Sequence, residues 1–334
     1  FSAFEAEYEA LRARVGLLDY STQALIEVGG KDRVDFLHRL LTNDIHHLAP
    51  ESGCEAALLT PSGKLMAPLR VLAKTDSLWL MCEMPLVEAI LRTFEHYHFS
   101  EDVTFTNHER AFAVLALQGP RTTALLAELF GRVVSLPRPG DHLNLSVQEM
   151  PVWIIRQSLA GDIGVLCVVN AEAAELLWEH LNRPGRSTQP IRVGWEALNV
   201  SRIEAGIPWF GVDMDDTHLL PETGWDAVAV SETKGCYVGQ EIIARLRTYG
   251  SVSQRLVGLR LEPPQTAEPG DLMVRGEERL GRVTSACVSP ALRRPIAMGY
   301  VKRPHYDAST AVEIVHGSQR LPATVVALPF VPPK

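Results

Sequence analysis

The stretch KGCYVGQEII at positions 234–243 contains a lone cysteine in a setting where a thiol could do chemistry. Cys236 follows an apolar run and a short polar turn, and it precedes QEIIARLRTYG, whose apolar spacing predicts a short helix. A thiol just before a helix N-terminus, with Lys234 two residues away, should have a lowered pKa and more thiolate character. The alternative is a small buried thiol in a glycine turn, which is common for free cysteines. The spacing alone leaves both interpretations open.

The segment RIEAGIPWFGVDMDDTHLLPETGW brings carboxylates and aromatic rings together upstream of that cysteine. Glu204 is predicted to lie at the C-terminal end of a helix, where the helix dipole disfavours a carboxylate. Trp209 and Phe210 follow, and then come Asp213 and Glu222. A flat heteroaromatic ligand with adjacent N–H donors would suit a carboxylate that accepts two hydrogen bonds beside an aromatic wall. A solvated acidic loop is the alternative, and composition alone slightly favours it.

Several common signatures are absent from the sequence. It contains no GxxxxGK[ST] loop, no GxSxG elbow, no HExxH and no GxGxxG after a strand, so phosphate cradling, serine hydrolysis, a zincin site and dinucleotide binding lose their usual support. The neighbouring histidines, His46 with His47 and His96 with His98, have spacings more typical of solvated side chains than of a metal site. We therefore predict no metal ligands.

Composition and charge narrow the class of protein. The 334 residues carry a net charge of -8 with no basic stripe, which argues against direct binding of nucleic acid. No apolar run approaches the roughly 18 residues that cross a bilayer, and the first residues are acidic and amphipathic, unlike a signal peptide. The five cysteines form no CxxC pair, which fits a reducing compartment. We expect a globular protein of the bacterial cytoplasm without a membrane partner.

These residues must be positioned by a mixed framework of helices and strands. As far as residue 253, helical and strand patterns alternate, which predicts two α+β units, roughly 1–50 with 143–253, and 51–142. LEPPQTAEPGD is typical of a linker, and short strands without a helical period lie on both sides of it. Residues 254–334 are therefore predicted to form an all-β domain, a small sandwich or barrel.

Beyond these patterns, the chain resembles a known superfamily. The segment from RIEAG to QRLVGL is similar to the corresponding part of the glycine-cleavage T-protein superfamily, and FLHRLLTNDIHHLAP, LALQGP and LGRVTSACVSPALRRPIAMGYVKRP also have counterparts there. Within this segment, KGCYVGQE resembles the more specific signature of the YgfZ-type folate-binding proteins and their mitochondrial iron–sulfur assembly relatives. The likeness covers nearly the whole chain.

The resemblance implies an α+β fold of three units, arranged as a cloverleaf around a central channel that holds tetrahydrofolate, with a C-terminal β-barrel as the third unit. It implies that Cys236 and Lys234 form the reactive part of the signature, with the thiol exposed at the mouth of the channel. There the thiol would engage a cluster, a sulfur species or a one-carbon adduct. The residues implied to bind the folate, on its pterin edge or its carboxylates, are Glu204, Asp213, Glu222, Gln240 and Arg255.

One departure distinguishes the chain from T-proteins that transfer an aminomethyl group. Those proteins have a GGxxxDDL stretch with an aspartate near the reacting carbon. The matching segment of this chain is SGKLMAPLRV, which has Ala67 and Pro68 in place of the acids. The GxGxE element is also incomplete at GDIGVLC. Because these side chains cannot act as a general acid or base or supply a charge, aminomethyl transfer is not expected of this chain.

The resemblance therefore implies a tetrahydrofolate-binding protein that supports the assembly or repair of iron–sulfur clusters and, indirectly, tRNA modification. Its partners would be iron–sulfur assembly factors or client proteins. The alternative is a folate-dependent aminomethyltransferase or demethylase of the T-protein type with rearranged acids. A third interpretation is a scaffold whose pocket is vestigial. The sequence establishes no reaction.

Overall fold

In the computed structural model, which describes residues 3–333 (247–249 by their backbone alone), short helices alternate with strands as far as residue 249, and strands dominate beyond it. The helices are α1 (Phe4–Ala13), α2 (Arg33–Leu40), α3 (Val87–Tyr97), α4 (Thr122–Phe130), α5 (Ala174–Asn182), α6 (Trp195–Glu204), α7 (Asp226–Ala229) and α8 (Gln240–Tyr249). The strands are β1 (Gly16–Asp19), β2 (Gln23–Gly29), β3 (Gly53–Leu59), β4 (Leu65–Ala73), β5 (Leu78–Glu83), β6 (Thr104–Asn107), β7 (Phe112–Gln118), β8 (His142–Val147), β9 (Met150–Arg156), β10 (Gly164–Asn170), β11 (Ile191–Arg192), β12 (Gln254–Leu261), β13 (Leu272–Arg275), β14 (Glu278–Ser289), β15 (Arg294–Lys302), β16 (Ala311–His316) and β17 (Gln319–Val326). Among the helices of the described residues, none is both long and apolar enough to cross a membrane.

The first unit is a five-stranded antiparallel sheet in the order β3-β4-β5-β2-β6. Helices α2 and α3 cover one of its faces, where the rings of Phe36 and Phe94 meet edge-on with their centroids 5.9 Å apart. Because side chains alternate along a strand, β4 places Ala67 in this core and directs Pro68 and Arg70 to the opposite face. That opposite face carries the cavity described below.

The second unit is a six-stranded sheet in the order β11-β1-β7-β10-β9-β8, antiparallel except for the pair of β1 and β11. Helices α4 and α5 pack on one face, and α1 and α6 pack on the other through Leu11 and Leu198. In this last core Trp79 of the first sheet meets Trp153 of the second, with ring centroids 5.6 Å apart. The two sheets therefore share one hydrophobic core.

The sheets divide the first 253 residues differently from the predicted units. Strand β2, which lies within the predicted range 1–50, pairs with β5 and β6 in the first sheet. Strand β7, which lies within the predicted range 51–142, pairs with β1 and β10 in the second sheet. Alternating hydrophobicity indicates that a segment is a strand but does not select its neighbour, which is why the boundaries differ.

The C-terminal domain is a closed barrel with the strand order β12-β15-β14-β13-β16-β17. Apolar side chains that include Leu259, Met273 and Val325 fill its interior. Closure pairs every edge, so the domain presents no free strand that could recruit another chain. The predicted fold, two α+β units with a C-terminal β-barrel, is confirmed, and the all-β domain is a barrel and not a sandwich.

Helix α6 is joined to the barrel by a buried ion pair. Arg202 and Asp213 are each 1% exposed, and the guanidinium of Arg202 contacts one oxygen of the Asp213 carboxylate. The other oxygen accepts hydrogen bonds from Thr284 Oγ1 at 2.6 Å and Ser285 Oγ at 2.7 Å, both on β14. Buried charges are costly unless their hydrogen-bonding capacity is filled, and here the barrel hydroxyls help to fill it.

A second connection lies at the C-terminal end of the same helix. Glu204 is fully buried, and its carboxylate accepts hydrogen bonds from the Tyr8 hydroxyl at 2.7 Å, from the Ser289 hydroxyl, and from the Ala291 N–H at 3.3 Å. These donors offset the unfavourable helix dipole, which explains an acidic residue at this position. Helices α1 and α6 and the barrel therefore converge on one carboxylate.

The substitution Asp213→Ala should lower the free energy of unfolding by about 3–5 kcal/mol, because it leaves the buried Arg202 charge without its partner. Urea unfolding followed by circular dichroism measures the effect. Glu313→Ala is the matched control, since Glu313 forms an exposed pair with Arg320 on the barrel and should contribute about 1 kcal/mol or less. Equal losses in the two variants would contradict a structural role for the buried pair.

Candidate functional site

A cavity lies where the face of the first sheet that carries Pro68 and Arg70 meets the segments that follow β9 and α6. Its empty space is about 710 Å³, including the part open to solvent. The side chains that give it chemical character are the aromatic residues Tyr20, Trp209, Phe210 and Trp225 and the polar residues Gln23, Glu55, Arg70, Glu83 and Gln157.

The polar edge of the cavity includes a carboxylate paired with an amide. Glu83 ends β5 directly opposite Gln23, the first residue of β2, and Gln23 Nε2 donates a hydrogen bond to Glu83 Oε1 at 2.6 Å. Burial raises the pKa of Glu83, because the ionised form loses hydration. The sequence analysis missed this pair. The acid at the end of the apolar run LWLMCE indicates a carboxylate at the edge of a buried strand. Its partner Gln23 could not be identified in the same way, because it lies 60 residues away in the chain.

A second polar pair links β3 and β4 in the cavity wall. Glu55 and Arg70 are opposite each other in the strand register, and Arg70 Nη2 and Nε lie 2.6 and 3.1 Å from the same oxygen, Glu55 Oε1. The pair places a positive charge and a second carboxylate on the wall that also contains Pro68.

The aromatic wall predicted from the sequence lies in the cavity. Trp209 and Phe210 both line it. The Trp209 ring has the Arg202 guanidinium 4.5 Å from its centroid, and the backbone N–H of Trp209 donates to Asp213 Oδ2 at 3.1 Å. The buried ion pair of α6 therefore also positions the wall of the cavity.

The three acids predicted to bind a ligand lie at the junctions between units. Glu204 and Asp213 make the connections to the barrel already described. Glu222 is 4% exposed and accepts hydrogen bonds from the Leu219 N–H at 3.1 Å and from Ser253 Oγ at 3.0 Å. Among the described residues that line the cavity, none of the three acids occurs. Each carboxylate accepts hydrogen bonds from donors of another unit, and its contact with a ligand stays a prediction.

The two remaining predicted binding residues are also separate from the cavity. Arg255 is exposed on β12, with its guanidinium 4.8 Å from the centroid of the Tyr306 ring. Gln240 is the first residue of α8 and lines a different, open pocket together with Tyr237 and Val230. The structure does not bring these two side chains together with the aromatic wall.

The cysteine loop precedes α8 as predicted, and Cys236 is exposed. Cys236 is not among the described residues that line the cavity. At the end of the loop, Gly239 has φ +81°, and an added Cβ there would lie 2.6 Å from the carbonyl oxygen of Thr60. Glycine is therefore required where the loop crosses the turn between β3 and β4.

Lys234 fixes this loop to the body of the protein. Its side chain is buried, and Nζ donates hydrogen bonds to the carbonyl oxygens of His38 and Leu41 and, at 3.1 Å, to that of Asn43. These carbonyls lie in and just beyond the last turn of α2, where the helix dipole favours a cation. Burial lowers the pKa of Lys234 to about 8. The ammonium is therefore used to hold the loop, whereas the sequence analysis assigned it to the thiol.

A cluster of histidines lies beside this anchor. His38, Asp44 and His46 place potential metal-ligand atoms within 4.8 Å of one another. However, His38 Nδ1 accepts the Ile45 N–H at 3.2 Å, and His46 Nε2 lies 2.7 Å from Asp35 Oδ1. The two imidazoles are stacked with an angle of 9° between their planes, so their in-plane lone pairs do not converge on one ion.

Comparison with known proteins extends these observations to the whole chain. The family model described as the GCVT N-terminal domain matches residues 1–232, and the model of the glycine cleavage T-protein C-terminal barrel domain matches residues 254–332. An aminomethyltransferase of Synechococcus sp. is 28% identical over 340 residues, which cover 99% of this chain and 91% of the relative. An aminomethyltransferase of Parasynechococcus marenigrum is 30% identical over 341 residues, with the same coverage of 99% and 91%.

A solved structure supports the same conclusion about the fold. The crystal structure of the glycine cleavage system aminomethyltransferase T from Bartonella henselae superposes with a TM-score of 0.87 at 25% sequence identity. The match covers 98% of this chain and 89% of that one. The similarity therefore includes both sheets and the barrel.

The substitution Lys234→Met should lower the free energy of unfolding by about 2–4 kcal/mol, because it leaves buried carbonyl oxygens without their donor. Thermal and urea unfolding measure the loss. Lys31→Met is the matched control. Lys31 is exposed, and its one ion pair is long, with Nζ 3.9 Å from Asp102 Oδ2, so the substitution should change the free energy of unfolding by less than about 1 kcal/mol. A fully stable Lys234→Met variant would show that the ammonium is free for another task.

Proposed function

Because the chain belongs to the family of the glycine-cleavage T-protein, we propose that it binds tetrahydrofolate in the cavity between the first sheet and the segment after α6. One observation carries the proposal: Trp209, Phe210 and Glu83 line the same cavity. Two aromatic side chains provide a wall for a flat ring, and a carboxylate can accept two hydrogen bonds from an amino-pyrimidine edge. The wall and the carboxylate together fit a pterin.

Each polar residue of the cavity has a task in this proposal. Glu83 accepts N–H groups of the pterin, and Gln23 holds the Glu83 carboxylate in place through its 2.6 Å hydrogen bond. Arg70, held by Glu55, presents a positive charge to the negatively charged part of the ligand. Tetrahydrofolate supplies a nitrogen that accepts a one-carbon unit. The protein orients that nitrogen and keeps water away from it with the aromatic wall.

Aminomethyl transfer to the folate is the activity that the comparisons favour, since the relatives named above are aminomethyltransferases over nearly the whole length of this chain. The acids typical of that activity are replaced by Ala67, which is buried in the core, and Pro68, which lines the cavity. Glu83 binds the pterin edge in this proposal and does not replace those acids at the reacting carbon. Its task is to hold the ring so that the reacting nitrogen faces the one-carbon donor.

A second candidate function is the YgfZ-type role in the assembly or repair of iron–sulfur clusters, with an indirect effect on tRNA modification. The exposure of Cys236 favours it, because the thiol is accessible to a cluster or a sulfur species on a loop that Lys234 holds in place. One cysteine cannot hold a four-cysteine cluster, so any cluster would be shared with an assembly factor or a client protein. The bacterial cytoplasm is the compartment that we propose for either function.

Titration of the chain with tetrahydrofolate under anaerobic conditions should give saturable heat. Glu83→Gln should weaken binding by roughly tenfold to a hundredfold, because a charge-assisted hydrogen bond contributes about 1.5–3 kcal/mol. Glu88→Gln is the matched control, since Glu88 is an exposed helix residue paired with Arg92, and this variant should bind tetrahydrofolate like the wild type.

The affinity for tetrahydrofolate should also decrease as the pH falls through the raised pKa of Glu83, because only the ionised carboxylate accepts both hydrogen bonds. Titrations at several pH values measure this dependence, and Glu83→Gln should lack it.

Absence of saturable heat in the wild type would remove the folate proposal and favour a scaffold with a vestigial pocket. Unchanged affinity in Glu83→Gln would reject this carboxylate as the group that binds the pterin. Both outcomes are distinct from a folding defect, which circular dichroism of each variant detects.

Two substitutions separate the candidate activities. If the chain is an aminomethyltransferase, Glu83→Gln should slow tetrahydrofolate-dependent ammonia release from an aminomethyl donor by roughly a hundredfold, whereas Cys236→Ser should leave the rate unchanged. If it serves iron–sulfur assembly, Cys236→Ser should fail to restore the activity of iron–sulfur enzymes in cells that lack the protein. Cys287→Ser, a half-buried thiol on the barrel, is the control and should restore it. An inactive wild type in both assays would reject both activities.

A further inference from the structure

A second pocket lies against the barrel, and its lining includes three cationic side chains. Arg279, Gly281 and Arg282 come from β14, and Lys302 ends β15. The remaining lining residues are Thr217, His218, Gln254 and Tyr300. We call this site the cationic pocket. Its empty space is about 760 Å³, including the part open to solvent.

The cations of the cationic pocket make no contact with an acid among the described residues, although the carboxylate of Glu222 lies behind the pocket and accepts a hydrogen bond from Gln254 Nε2 at 3.3 Å. Among the described residues, Arg279, Arg282 and Lys302 form no salt bridge with an acid, although Arg320 pairs with Glu313 at 2.8 Å elsewhere on the barrel. Lys302 Nζ instead approaches the carbonyl oxygen of Arg279 at 3.4 Å. Three cations without an acid in contact therefore line one pocket of a chain whose net charge is -8.

The buried side of the cationic pocket contains an unsatisfied hydroxyl. Tyr300 is 2% exposed, and its hydroxyl has no hydrogen-bond partner within the described part of the chain. Burial and, to a smaller extent, the nearby carboxylates of Asp213, Glu222 and Asp215 raise the pKa of Tyr300, so the hydroxyl keeps its proton and can donate. A buried donor without an acceptor costs about 1–3 kcal/mol, which an oxyanion in the pocket would recover.

The geometry of the strands and the neighbouring loop keeps this pocket open. Arg282 and Tyr300 are opposite each other in the register of β14 and β15, so their side chains are neighbours. An added Cβ at Gly281 would lie 1.7 Å from the carbonyl oxygen of Tyr300, and no side chain can fill that position. The ring of His218 stacks on Tyr300 with centroids 4.2 Å apart and closes the other side.

We propose that the cationic pocket binds a ligand that carries two or more adjacent oxyanion groups. Guanidinium groups present paired donors that match phosphate and carboxylate oxygens, and three cations are better balanced by a multiply charged ligand than by a single anion. A chain of phosphates and a chain of carboxylates share this chemistry. The proposal concerns this pocket alone and does not depend on folate binding.

The test is a calorimetric titration of the full chain at low salt with two probes, inorganic tripolyphosphate and a tetraglutamate peptide. At least one probe should bind saturably at one site, and Arg282→Gln and Lys302→Gln should each weaken that binding by roughly tenfold or more. Arg320→Gln is the matched control, an exposed barrel arginine outside the pocket, and it should bind the probe like the wild type. Binding of tripolyphosphate alone identifies phosphates as the ligand chemistry, and binding of the peptide alone identifies carboxylates.

Tyr300→Phe gives a readout that surface charge does not affect. Because the hydroxyl has no partner in the ligand-free protein, the variant should unfold at the same urea concentration as the wild type or a higher one. It should nevertheless bind the probe roughly threefold to tenfold more weakly. The proposal is overturned if neither probe binds saturably, or if Arg320→Gln weakens binding as much as Arg282→Gln does.

Discussion

The buried ion pair of Arg202 and Asp213 is the interaction on which the cavity and its surroundings depend. It connects α6 to the barrel through the hydroxyls of Thr284 and Ser285. It also positions Trp209, because the Arg202 guanidinium lies over the Trp209 ring and the Asp213 carboxylate accepts a hydrogen bond from the Trp209 backbone N–H. A charge pair without exposure to water tolerates little displacement, because any lost hydrogen bond leaves a desolvated charge. The aromatic wall therefore has the rigidity of the junction between two units.

Lys234 is the second buried cation with a positioning role, and it separates two kinds of chemistry. Its ammonium binds carbonyl oxygens at the end of α2, so the loop that carries Cys236 is held against the first unit. The thiol is exposed there, while the cavity has its own polar groups in Glu83, Gln23 and Arg70. The continuous sequence motif therefore contains two residues with different roles: Lys234 anchors the loop, and Cys236 is exposed to solvent.

Much of the fold could be predicted from the sequence, because helical and strand periods, turn residues and the loss of helical period after residue 253 are local signals. The aromatic wall at Trp209 and Phe210 was also predictable, since two large rings beside Pro208 rarely lie in open solvent. The acids could not be placed in the same way. Whether Glu204 faces a ligand or the Tyr8 hydroxyl depends on helix packing between segments 196 residues apart. The same limit concealed Glu83, whose meaning comes from Gln23 on a neighbouring strand.

The segment from Trp209 to His218 has one end in the cavity and the other in the cationic pocket. It is short, and the buried pair of Asp213 with Arg202 fixes its middle, so the two ends keep a constant spacing. Ligands bound at the two proposed sites would therefore lie at a fixed distance from each other, and binding at one site would not disturb the other site through this segment.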